Sequence, residues 1–143
     1  MLLISFSVAF AQTSNDAMVQ RYLERASASY DDGNLSDAYK NINASLNFGK
    51  MNDGIIPANV LVFARSIYTQ RLKELQRKYV ESSYIDIKTN LVEKYPEVNT
   101  PELTKLMRQI EANVTAAEKA ADKKQQQDFL DSIKESTNST QTA

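Results

Sequence analysis

The sequence predicts an all-α protein built from antiparallel helical hairpins, about five helices in all, the last of them long. Three observations carry that expectation. Apolar residues recur at three- and four-residue spacings along the chain, and no strand-like alternation of apolar and polar residues survives anywhere. Only three glycines and three prolines interrupt the 143 residues. Helix formers such as Ala, Leu, Glu, Lys and Gln fill the space between them. The same composition excludes whole classes of chemistry. Without cysteine or histidine there is no disulfide framework, zinc finger, thiol nucleophile or Ser-His-Asp triad. Seventeen Lys+Arg against 18 Asp+Glu give a net charge of −1, which lacks the basic excess of a nucleic-acid binder. At 42% hydrophobic residues the chain can bury one modest core.

Residues 1–11 read as an export signal. Leu2 to Phe10 is apolar apart from Ser5 and Ser7, and it ends in Ala9-Phe10-Ala11 before Gln12. That small-x-small pattern is the one a signal peptidase cuts. The stretch is about half the roughly 20 residues a membrane-spanning helix needs. No basic residue precedes it, so the reading implies further basic residues upstream; the alternative is an N-terminal helix packed on the core. No cysteine follows the small residues to carry a lipid, and export without cysteine fits a bacterial periplasm.

The first helix is expected from about Asn15 to Asp31, with Thr13 and Asp16 spaced as a capping box. Its apolar face is Val19, Tyr22, Leu23, Ala26 and Tyr30, and Gly33 supplies the positive φ of its stop. The second runs from Leu35 or Ser36, capped by Asn34 or Ser36, to about Asn47. It buries Ala38, Ile42 and Leu46, with Tyr39 and Ser45 on its flanks. Gly49 opens a loop through Gly54. Pro57 then suits the first turn of a third helix to about Val80, whose stripe is Val60, Phe63, Ala64, Ile67, Tyr68, Leu72 (or Arg71), Leu75 and Tyr79. Ser83 and Asp86 are cap-spaced for a fourth helix ending at Tyr95-Pro96, with Tyr84, Ile87, Leu91 and Val92 inside. Thr100-Pro101-Glu102 combines a capping hydroxyl, a first-turn proline and an acid facing the helix dipole. The fifth helix is expected from there to about residue 134, followed by a disordered polar tail, 135–143.

Residues 19–52 resemble a tetratricopeptide repeat. Ala26 and Ala38 are the small residues at the helix crossing, Gly33 the turn, and Ile42 and Leu46 the following apolar positions. Tyr30 falls one residue after the aromatic position of the repeat, which Ser29 occupies; Ser45 stands where alanine is usual, and Lys50 where a proline often closes the unit. The third and fourth helices resemble a second, divergent repeat with Phe63-Ala64 as its bulky-small pair. The domain so implied covers 13–134. Solenoid units need about three repeats to close a core, so the fifth helix or a second copy of the chain has to cover the open face. The resemblance implies partner binding through the concave surface lined by the first helix of each pair. Its matching positions here are Gln20, Leu23, Ser27 and Tyr30, with Tyr30 either the anchor or an ordinary flank residue.

No reaction centre emerges. Asp31, Asp32 and Asp37 cluster at a turn but lack the alternating ligands and distal Glu of a calcium loop. Glu93 and Glu97 straddle Pro96 without marking an acid/base pair. Gly33, Gly49 and Gly54 are isolated and form no phosphate cradle. No metal, cofactor or catalytic residue is therefore expected. Arg71, Lys73, Arg77 and Lys78 are interleaved with Glu74 and Glu81 and read as a solvated face. Four Asn-x-Ser/Thr sequons, at Asn34, Asn43, Asn113 and Asn138, follow from a polar composition. In the fifth helix Leu103, Met107, Ile110, Val114, Ala117 and Ala121 repeat with the period of a coiled-coil seam, or of a helix packed on the hairpins. Beyond a polar gap, Phe129, Leu130 and Ile133 form an apolar island suited to docking. These features lead to a non-enzymatic periplasmic scaffold, a protein–protein interaction adaptor of a bacterial envelope assembly. The alternatives are a self-associating subunit held by its last helix and a chaperone-like binder of envelope proteins.

Overall fold

A computed structural model describes the backbone of residues 2–52 and 54–142, and side-chain surroundings for 15–52 and 54–138. The protein is all-α, and no strand occurs among the described residues. Helix α1 (Leu2–Asp31) and α2 (Leu35–Met51) form an antiparallel hairpin, followed by α3 (Ala58–Arg77) and α4 (Glu81–Thr89). A π turn (Asn90–Lys94) and a 3-10 turn (Pro96–Val98) lead to the long α5 (Pro101–Thr142). The chain divides into two compact units, Met1–Met107 and Arg108–Ala143.

The α1–α2 hairpin closes because small residues sit where its helices cross. Ala26 and Ala38 are fully buried, with Val19, Ile42 and Leu46 filling the space beside them. Ser45 packs among them, a residue expected at the flank. Its hydroxyl donates to the Val19 carbonyl at 2.7 Å, which removes the cost of an unpaired buried oxygen. Asn34 caps α2, its side chain accepting from the Asp37 amide. Gly33 turns the chain at φ +78, and a Cβ there would meet nothing within 4 Å. Gly33→Ala therefore carries a purely conformational penalty. We expect a loss of about 1 kcal/mol, read as a lower urea midpoint with an unchanged slope.

Several boundaries differ from the sequence expectation. Helix α1 does not start at Asn15: it runs unbroken from Leu2, with the backbone of Thr13 inside it. No glycine or proline lies between Leu2 and Asp31 to stop it. The side chains of the export-signal segment lie outside the described residues. Gly49 does not open a loop but stays within α2, buried. A Cβ there would lie 3.4 Å from Ile56, so glycine admits the returning loop. Pro57 sits one position before α3, and α3 ends at Arg77, short of Val80. Lys78 and Val80 are already extended, which leaves Tyr79 exposed. Helix α4 starts at Glu81 without a side-chain cap, so Ser83 lies in the first turn and caps nothing. Val92 is exposed, not buried, because the π turn changes the register after Thr89. Its ring closes where the Tyr95 amide donates to the Asn90 carbonyl at 2.6 Å, and Pro96 prevents a further turn.

Two long cations fasten this irregular stretch to the hairpins. Lys50 donates to the Lys94 carbonyl at 2.6 Å and pairs with Glu97 at 3.3 Å. Arg65 donates to the carbonyls of Val98 and Glu97 at 3.1 and 2.8 Å. Leu103 and Met107 of α5 are buried within the first unit, and the Tyr84 hydroxyl donates to the Met107 carbonyl. Along the rest of the expected seam Ile110 is buried and Val114 half-buried, whereas Ala117 and Ala121 are exposed. Helix α5 includes the polar residues beyond 134.

Candidate functional site

The face of α1 expected to meet a partner is partly covered. Gln20 is exposed, while Leu23, Ser27 and Tyr30 are half-buried. Tyr30 rests edge-on against Phe63 of α3, ring centroids 5.7 Å apart and planes at 70°. The geometry favours such a pair because ring edges are positive and ring faces negative. Tyr30 thus contributes to packing between α1 and α3 and still keeps part of its surface in solvent. Elsewhere on α1, Tyr22 stacks on Phe48 at 5.6 Å and carries Arg25 over its ring at 5.1 Å.

In the second unit Phe129, Leu130 and Ile133 are 66%, 50% and 46% exposed. Phe129 and Ile133 are one helical turn apart and Leu130 is adjacent, so the three form one apolar patch. The described residues on either side are polar or small and equally exposed.

A third region was not anticipated from the sequence. Ser36, Tyr39, Lys40 and Asn43 of α2, Arg71 of α3, and Ser82, Ser83 and Asp86 of α4 line a cleft of about 440 Å³. Behind it lies a chain of polar groups. The Tyr39 hydroxyl donates to the Asp86 carboxylate at 2.6 Å and accepts from the Asn90 amide at 2.8 Å. Tyr68 donates to the Asn43 side chain, and the Tyr39 and Tyr68 rings meet at 5.3 Å. Arg71 lies 5.1 Å over the Tyr39 ring, with Glu74 3.6 Å away. It is therefore half-buried, unlike the exposed Lys73, Arg77 and Lys78 with which it was grouped.

Burial pushes the phenols of Tyr39 and Tyr68 well above the ordinary tyrosine value and raises that of Tyr95, and the bond to Asp86 adds to the rise at Tyr39. At neutral pH they are hydrogen-bond donors and not bases. Every buried side-chain nitrogen and oxygen among the described residues has a partner. The sequence signal for this network is faint: Tyr39 and Asn43 stand one turn apart beside the apolar stripe of α2. The π turn that brings Asn90 to Tyr39 leaves no such signal.

Comparison with family models, with curated proteins and with solved structures finds no match to the chain. Among the described residues no three acidic side chains converge to hold a metal ion, and no helix is long and apolar enough to cross a membrane.

Proposed function

We propose that this chain is a non-enzymatic adaptor of a bacterial envelope assembly, acting in the periplasm and binding a protein partner. The observation that carries the reading is the patch of Phe129, Leu130 and Ile133, three large apolar side chains left 46–66% exposed on a part of α5, from Ala116 onward, whose other residues are polar or small. Exposing them in water gains nothing for the isolated chain. Covering each with a partner's apolar surface is worth on the order of 1 kcal/mol or more. The face of α1 at Gln20, Leu23, Ser27 and Tyr30 is the second contact, in keeping with the tetratricopeptide-like spacing of residues 19–52. The Ala9-Phe10-Ala11 sequence supports export.

Site-specific photo-crosslinking in the native envelope tests this. A crosslinker at Leu130 or Gln20 of the full chain is expected to trap one defined polypeptide. Phe129→Asp should abolish the adduct without changing the helical signal. Tyr30→Ala should weaken it while costing about 1 kcal/mol of stability through the lost Phe63 contact, a fall of a few degrees in Tm. Adducts to a second copy alone would replace the adaptor by the self-associating subunit. Adducts that survive both substitutions would overturn the reading.

A further inference from the structure

The cleft between α2 and the amino end of α4 has a lining that neither its packing role nor the adaptor reading accounts for. Two cations reach it, the exposed Lys40 and the half-buried Arg71, against a single lining carboxylate, Asp86. One Asp86 oxygen already accepts from Tyr39 at 2.6 Å. The Arg71 guanidinium carbon lies 5.1 Å over the Tyr39 ring, and a guanidinium held there still carries N–H groups able to fork onto an acceptor. Glu74, at 3.6 Å, takes one of those groups at most. Ser36, Ser82 and Ser83 add three hydroxyls. Ser82 and Ser83 also sit in the first turn of α4, where no side chain caps the free amides and the helix dipole favours negative charge. At about 440 Å³ the space suits a small charged group and the atoms that carry it.

We propose that this cleft binds one oxyanion, a carboxylate or a phosphate group, between Arg71, Lys40 and the Ser82–Ser83 turn. The group belongs either to a free small molecule or to an acidic side chain of a polypeptide, and the site is independent of the patch at Phe129. The single lining carboxylate, Asp86, disfavours densely charged ligands by repulsion, so a single group fits better than a polyanion.

Amide spectra of the full isotope-labelled chain test the proposal. Inorganic phosphate, acetate and a blocked glutamate-rich peptide are titrated separately, each against sodium chloride of the same ionic strength. The Ser82 and Ser83 amide signals and the Arg71 side-chain signals are expected to move and saturate, while those near Phe129 stay still. Saturation by phosphate or acetate with no gain from the peptide identifies a small-molecule site. A peptide that binds more tightly than acetate identifies an acidic side chain. Arg71→Gln should weaken binding at least about tenfold, the usual loss of a charged hydrogen bond. Because Arg71 also packs on Tyr39, Ser83→Asp provides a variant that keeps the fold: a first-turn acid suits α4 but places a fixed negative charge in the cleft. It should abolish binding. Shifts that chloride reproduces, or that persist in Ser83→Asp, would overturn the proposal.

Discussion

Tyr68→Ala is expected to destabilise the protein by about 3–5 kcal/mol, the cost of emptying the site of a large buried aromatic. Tyr68 is fully buried and is the bulkiest of the fully enclosed side chains. Its ring packs on Tyr39, and its hydroxyl is the donor to Asn43. Truncation removes both at once, and a typical domain has only about 5–15 kcal/mol to lose. Tyr68→Phe separates the two parts. It keeps the ring and leaves the Asn43 oxygen without its donor, so the expected loss is about 1–3 kcal/mol. Urea denaturation followed by helical circular dichroism measures both. Equal losses for the two variants would show that the hydrogen bond, and not the filled volume, holds α2 against α3.

The second large effect is alkaline. Tyr39, Tyr68 and Tyr95 hold their protons to higher pH in the folded protein than in the unfolded chain, because burial penalises the phenolate. Unfolded tyrosines ionise near pH 10. Below that pH both states keep these protons and the stability from the three phenols is fully present. As pH rises past about 10 the unfolded state releases protons that the native state retains, so stability falls with pH. These three phenols should therefore ionise only above the ordinary tyrosine range, and cooperatively, together with loss of helix. With no tryptophan or cysteine in the chain, tyrosinate absorbance reports this directly. Seven phenols ionising together near pH 10 with the helices intact would contradict the buried network.

The candidate partner surfaces were legible as residue patterns, and their degree of cover was not. The spacing of Phe129, Leu130 and Ile133 already marked an island outside the main stripe, and their exposure agrees. The spacing of Leu23, Ser27 and Tyr30 placed them on one face, but periodicity within α1 says nothing of Phe63, more than 30 residues later. The cleft was less legible still. Lys40, Arg71 and Ser83 come from three helices, and none stands out along the sequence from ordinary surface residues.

The sequence by itself determined the helical class, the α1–α2 hairpin and most of the core. Those follow from local signals: a 3.6-residue apolar period, small residues at Ala26 and Ala38, and a glycine at the α1–α2 turn, where φ is positive. Tertiary structure alone decided where α3 stops, why Gly49 stays helical, how the chain widens into the π turn, and which polar groups go inside. The last three of those outcomes go with contacts beyond the local helix: Ile56 against Gly49, Asn90 with Tyr39, Tyr68 with Asn43. A buried hydrogen bond or a close backbone approach is stabilising only when its partner arrives, and nothing in the local sequence records that arrival.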